Sequence, residues 1–301
     1  DHRDLHLRSR RQRQMCIRDS FKPMLAHVYQ NQPIDWNQPV YMQPKLDGVR
    51  CIFTSNGAFS RNGKRFMNVR HIELELQDLF KRMPYLRLDG ELYNHDLRDD
   101  FEKIISLVRK QKPTDEDQLE AFNMVQFHVY DMWFDDPSNV TGFKWDYKTR
   151  FKWICENITH IGDMIQVIKT HNCVTPAMVK VFHQKFLDEG YEGSIVRLNA
   201  LYEHKRSKTL MKVKDFHDAE ATIINWVEGK GKRIGTIGKF IAKDADGNEF
   251  GMPVMDKFKK LQNNFKEMQK WVGKIATFTY FERTKRNSYR HPLFKTIRNY
   301  E

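Results

Sequence analysis

Lys45-Leu46-Asp47-Gly48-Val49-Arg50 is the stretch from which the rest of the chain is best read. It follows residues 40–44, an apolar and aromatic run of the kind that forms strands, and a second such run begins at Arg50. Gly48 between them allows the backbone a tight turn. A lysine that attacks phosphorus must be uncharged, yet a free lysine titrates at about 10.4. Nearby cations and partial burial lower that value. Arg50, Lys212 and Lys214 supply such cations if the fold gathers them. Alone the pattern is weak, because a lysine and an arginine flanking a turn are usually solvated surface.

Outward from this centre, the chain is that of a folded protein that meets polyanions. Its 301 residues suffice for one large domain or two ordinary ones. The hydrophobic fraction of 40% and 21 phenylalanines exclude a disordered chain, and a net charge of +12 favours a nucleic-acid partner. The four cysteines form no CxxC pair, which argues against a zinc ribbon or a secreted disulfide scaffold. No apolar run approaches the ~20 residues of a membrane span. Residues 1–20 carry six arginines and no apolar periodicity, and end in Met15-Cys16-Ile17-Arg18-Asp19-Ser20. That ending resembles translated sequencing-adapter read-through, so the segment is expected to be a non-native or disordered leader. Without it the charge is still +9.

From residue 21 strands and helices alternate. Strands are expected at 40–44, 50–54, 86–88, 126–133 and 194–198, and helices at 73–81, 101–110, 147–158 and 175–189, the last with Thr175 before Pro176 as its start. After Lys214 only strands and turns follow: 220–228, the glycine-rich 229–238, then 239–243 and the turn Asp246-Gly247. A first domain over 21–215 and a small β-barrel over 216–301 are expected.

Further motifs follow Lys45 in a set order: Ser60-Arg61-Asn62-Gly63, Leu88-Asp89-Gly90-Glu91-Leu92, Phe127-His128-Val129-Tyr130-Asp131, Glu189-Gly190-Tyr191-Glu192-Gly193 and Leu210-Met211-Lys212-Val213-Lys214. Singly they are ordinary: Asp-Gly is a common turn, a tyrosine in an apolar strand is commonly core, and Lys-x-Lys suits an exposed strand. In this order they resemble the covalent lysine nucleotidyltransferases, which comprise DNA ligases, RNA ligases and capping enzymes. Lys22-Pro23-Met24-Leu25-Ala26 resembles the opening segment of ATP-dependent DNA ligases. Residues 229–240 and 290–298 resemble parts of their OB-fold domain.

The resemblance implies an α+β architecture: an ATP-grasp-like adenylation domain followed by an OB-fold. It implies Lys45 as the nucleophile that forms lysyl-AMP, with Gln43, Asp47, Gly48, Arg50, Glu91, Tyr130, Lys212 and Lys214 binding the nucleotide. Arg61 would reach a phosphate at the nick, and Lys230, Lys232 and Arg233 on the glycine-rich hairpin would contact DNA phosphates. Glu91 and Glu192 would hold Mg2+, which favours one or two carboxylates with water and phosphate. Arg150 resembles a family position with a structural role. The implied activity is ATP-dependent sealing of nicked duplex DNA by a cytoplasmic monomer. Two features depart from the pattern. Gln43 stands where many ligases carry glutamate, and no RxDK-type sixth motif is present near the C-terminus, which fits the small phage-like ligases and counts against capping. The alternatives are an RNA ligase and a non-catalytic nucleic-acid-binding module.

Overall fold

The two β-rich runs either side of Leu46-Asp47-Gly48 belong to different sheets. In the computed structural model, residues 22–98, 100–139, 143–255, 269–284 and 287–298 are described. The leader at 1–20 lies outside them. The chain divides into two compact units, the first ending at Val213 and the second beginning at Lys214.

The first sheet of the first unit contains β1 (Leu25–Val28), β2 (Val40–Lys45), β8 (His171–Cys173), β9 (Gly193–Leu198) and β10 (Arg206–Val213), in the order β1-β10-β9-β2-β8. Strand alternation splits its residues between two faces. Val40, Met42, Val196, Met211 and Val213 pack with Val179 and Phe186 of a helix at Pro176–Asp188. Gln43, Lys45, Arg197 and Lys212 fall on the opposite face. The second sheet contains β3 (Val49–Thr54), β4 (Gly57–Phe59), β5 (Leu86–Tyr93), β6 (Gln126–Phe134) and β7 (Ile165–Val167), in the order β4-β3-β5-β6-β7. Its larger core joins Cys51, Phe53, Leu88, Leu92, Phe127 and Val129 to five helices. These are α1 (Arg70–Glu75), α2 (Gln77–Arg82), α3 (Phe101–Val108), α4 (Asp115–Met124) and α5 (Tyr147–Ile158); the helix under the first sheet is α6. Met24, Ile52, Trp133, Tyr202 and Leu210 form a smaller cluster drawn from both sheets.

Two local expectations change, and one helix is added. The helix expected over 73–81 is two short helices, because the chain turns at Leu76, whose N–H donates to Ile72 and Leu74. The strand expected at 86–88 runs on through Asp89-Gly90 to Tyr93, paired with β3 and β6 on both sides. The polar helix over 115–124 is an addition, having little apolar periodicity to announce it. Its readable signal is a capping box, in which Thr114 accepts from the Asp117 N–H and Asp117 from the Thr114 N–H.

The second unit contains β11 (His217–Glu228), β12 (Ile237–Lys243), β13 (Glu249–Pro253), β14 (Ile275–Tyr280) and β17 (Leu293–Ile297), in the antiparallel order β13-β12-β11-β14-β17. A two-stranded ribbon, β15 (Glu282–Arg283) with β16 (Tyr289–Arg290), flanks it. Phe240, Phe250, Phe278, Tyr289 and Phe294 fill its core. Among the described residues no helix is long and apolar enough to cross a membrane.

Candidate active site

Lys45 is the last residue of β2, opposite Gly193 of β9. Its carbonyl accepts from the Glu192 N–H at 3.1 Å, and its ammonium is ion-paired with the nearly buried Glu192 carboxylate. Gly193 has φ +152°, and a side chain there would run into the Val213 backbone. Glycine is therefore required where β9 begins. Gly48 is needed for a reason other than the tight turn expected of it. A Cβ there would press on the Leu92 backbone and stand 2.7 Å from Glu91 Cγ, so glycine lets the motif lie against β5. Lys212 lies on the same face of the first sheet as Lys45. Burial, then repulsion from Lys45 and Arg206, holds its ammonium below the ordinary lysine value.

The second sheet supplies the facing groups. Arg50 makes a two-pronged contact with the buried Asp89, Nε to Oδ1 at 2.9 Å and Nη2 to Oδ2 at 2.6 Å, and Tyr202 donates to Asp89 Oδ2 at 2.7 Å. Two guanidinium hydrogens do this work, leaving others for a ligand. Glu91, two residues along the same strand, is pushed up to about 7 by burial, against the opposing pull of Lys45 and Arg50. Tyr130 donates to Glu91 Oε2 at 3.3 Å. The guanidinium carbons of Arg50 and Arg197 lie 5.6 and 5.4 Å from its ring centroid.

A bulge aims two consecutive residues at this space. The β5–β6 register shifts between Asp89 and Gly90, pairing Asp89 with Asp131 and Gly90 with Val129. Phe127 and Val129 before the shift, and Met132 after it, pack in the core, so Tyr130 and Asp131 both point the other way. Asp131 is fully buried and accepts from Arg150 Nε at 2.6 Å, Arg150 Nη2 at 3.2 Å and Arg197 Nη1 at 2.6 Å. Arg150 Nη1 also donates to the carbonyls of Trp145 and Ala200, contacts that hold the guanidinium in place. Burial raises the Asp131 carboxyl, but Arg150 and Arg197 outweigh it and hold it below the usual carboxylate range.

Gln43 is buried within this network. Arg197 Nε donates to its Oε1 at 2.8 Å, and its Nε2 donates to Tyr147 at 2.8 Å and Thr170 at 2.9 Å. An arginine can only donate, so the atom facing it must be oxygen. Both amide hydrogens are then used, and Oε1 keeps one lone pair.

The first unit thus brings Gln43, Lys45, Gly48, Arg50, Glu91, Tyr130, Glu192 and Lys212 to the facing sides of its two sheets, with Asp47 half-buried in the connection. Lys214 is the first residue of the second unit, where its ammonium lies 4.4 Å from the Phe281 ring centroid. Arg61 is exposed and lines a cavity of about 550 Å³ with Gly48, Arg50 and Glu91. On the second unit's hairpin Lys230 and Lys232 are exposed. Arg233 departs from the expectation of a free DNA-facing cation: its Nη2 donates to the carbonyls of Ile237 at 2.9 Å and Val254 at 2.6 Å, bracing the hairpin. Sequence reasoning missed Asp89, Asp131, Arg197 and Tyr202. The first two stand inside recognised motifs, and Arg197 on the strand after Glu192, but their partners are remote in sequence.

Residues 23–214 match the family model of the ATP dependent DNA ligase domain, and residues 228–298 that of the DNA ligase OB-like domain. A DNA ligase of Haemophilus influenzae is 29% identical over 262 residues, covering 85% of each chain. An African swine fever virus DNA ligase is 29% identical over 217 residues, and the match spans 48% of that longer protein. A Lig E DNA ligase structure superposes with a TM-score of 0.73 at 22% identity, covering 92% of this chain and 98% of the other, a likeness of fold. With a nucleotidyltransferase domain and an OB-like domain in this order, the chain belongs to the ATP-dependent DNA ligase family.

Proposed function

We propose that this ligase seals nicks in duplex DNA through a lysyl-AMP formed at Lys45. The observation that carries the reading is Lys45 at a strand end, ion-paired with Glu192 and sharing its space with Glu91 and Lys212. Lys45 attacks only as the free amine, so the pair with Glu192 must open and a proton must leave Nζ. The ammonium of Lys212 favours that loss by like-charge repulsion. A bond then forms from Nζ to the α-phosphorus of ATP as the bond to pyrophosphate breaks. In the second step an oxygen of the DNA 5′-phosphate displaces Lys45 from that phosphorus. In the third, the 3′-hydroxyl attacks the 5′-phosphate, AMP leaves with the bonding electrons, and the hydroxyl proton is released. Catalysis of this kind is chiefly positioning and charge stabilisation.

The remaining lone pair of Gln43 Oε1 would accept from the adenine amino group and repel the carbonyl oxygen of guanine. Tyr130 offers a face for the purine, and the spare hydrogens of Arg50 reach ribose or phosphate. Glu91 and Glu192 fit Mg2+, being oxygen donors in the number that this ion takes from protein alongside phosphate. Burial keeps the Glu91 carboxyl near 7, and a cation there would offset that penalty on its charge. Bound, Mg2+ would neutralise charge building on the phosphates. Lys230 and Lys232 of the second unit would contact the duplex backbone, and the protein would act as a monomer. Incubation with α-labelled ATP and Mg2+, without DNA, tests the core. The parent protein should acquire label and Lys45→Ala should not; labelling of Lys45→Ala at the parental level would remove Lys45 from its role.

A further inference from the structure

The cavity beside Glu91 is lined by more cations than the family motifs account for. Its floor is Gly48, Val49, Arg50 and Glu91, and its rim includes Arg61, Lys64 and Arg109. The charge of Arg50 is balanced by Asp89. Among the described residues Arg61, Lys64 and Arg109 have no side-chain partner, and all three are exposed. Three unpaired cations converging on one hollow repel one another, an arrangement that an anion stabilises.

The rim is braced rather than loose. Gly63, at φ +75°, closes a turn in which Ser60 N donates to the Lys64 carbonyl and Lys64 N to Ser60 Oγ, so Arg61 and Lys64 flank a defined tip. Arg109 follows α3, whose last turn is anchored by buried Leu107 and Val108. Asn68 donates both to the Leu107 carbonyl at 3.0 Å and to the Asp117 carbonyl at 3.1 Å, and Lys110 is ion-paired with Asp117. Arg109 is thus presented from a fixed helix end while its neighbour Lys110 is consumed in fixing it.

We propose that Arg109 and Lys64 complete, with Arg61, a clamp for the phosphates of the DNA strand at the nick. The clamp rests on the reading of Lys45 as the ligation centre, since the cavity floor belongs to the same motif. Phosphate could also arrive as the tail of ATP, and the two sources separate by assay. A second role for Arg109, as a cation at the negative end of α3, would move stability and leave salt dependence alone.

The test uses the full chain, a nicked duplex oligonucleotide and α-labelled ATP. Arg109→Ala should weaken nicked-duplex binding roughly ten-fold and lower the slope of log affinity against log salt by about 0.9. Lysyl-adenylate should form without DNA as in the parent, which also certifies the fold. Arg109→Lys should restore the slope, and Lys64→Ala should lower it independently. A parental slope in both alanine variants overturns the clamp. So does lost adenylation with parental DNA binding, which would give the cations to ATP. If the parent itself forms no lysyl-adenylate, the reading of Lys45 fails while the salt slopes still decide the clamp.

Discussion

Replacing Asp131 with asparagine keeps its shape and removes its charge, which isolates what the carboxylate does between Arg150 and Arg197. In the folded protein three arginine N–H groups lie 2.6, 3.2 and 2.6 Å from its oxygens, and both guanidinium groups are almost wholly inaccessible to water. Asparagine retains one acceptor oxygen and turns an N–H2 toward groups that can only donate. Two buried cations are then left without a counter-charge, and breaking buried pairs of this kind costs about 3–5 kcal/mol. For a domain of this size each kcal/mol lowers the melting temperature by roughly 2–4 °C, so Asp131→Asn should melt at least about 6 °C below the parent. Because Arg197 reaches both Asp131 and Gln43, the KM for ATP in adenylation should rise as well. Thermal and urea unfolding, with self-adenylation on the folded fraction, measure both effects. A destabilisation within about 0.5 kcal/mol, the range of ordinary surface substitutions, would refute the reasoning, because the arginines would then have to be solvated on unpairing. The carboxyl is held below its usual range, so its stabilisation is complete above about pH 3.8 and is lost as pH falls through its lower folded value.

Glu91 and His128 oppose each other in pH. Glu91 is raised to about 7 from 4.5 by burial, so its stabilising contribution is full below about pH 4.5 and disappears as pH rises through 7. His128 is lowered to about 4 from 6.5, chiefly by burial, so the fold weakens as pH falls from 6.5 toward 4. Without ATP and with EDTA, the parent's urea stability should vary little from these two groups between pH 4.5 and 6.5. Glu91→Gln should uncover a rise with pH of up to roughly 1.4 kcal/mol per unit while losing most sealing activity; a flat profile in that variant contradicts the assignment. Gln43→Glu should keep the KM for ATP within a few-fold, since it retains the acceptor facing Arg197, whereas Gln43→Leu should raise it at least roughly ten-fold. Equal KM values for the two would exclude Gln43 from reading the base. Neutralising Lys230 and Lys232 together should lower the salt slope of nicked-duplex binding by roughly 0.9 for each phosphate no longer neutralised, and an unchanged slope would free the hairpin from that role. Arg233→Ala should instead lower the second unit's stability, as followed by urea unfolding, because two carbonyls lose their donor.

The order of the motifs over residues 45–214 was enough to identify the nucleotidyltransferase domain and to nominate Lys45. The strands and turns after Lys214 were enough to identify the small β-barrel, because strand-forming residues and turn residues are local features of the chain. Strand-forming residues at 40–44 and 194–198 likewise marked the two strands that carry Gln43 and Arg197, whereas which of their side chains face away from the core was left to the sheet pairing. The sequence did not reveal that Asp89 and Asp131 would pair with Arg50, Arg150 and Arg197. Those partners are 39, 19 and 66 residues away, and a carboxylate in a strand has no local feature that names its distant counter-charge. Nor did alternation reveal that Tyr130 and Asp131 share a side of the sheet, since strict alternation would have separated them. That arrangement exists because the β5–β6 register shifts by one residue, and register is settled between strands by the burial of Phe127, Val129 and Met132 together. The same holds for Gln43. Its amide hydrogens and one lone pair are committed only when β9, α5 and the loop bearing Thr170 close around it, and that closure decides which atom is left for a ligand.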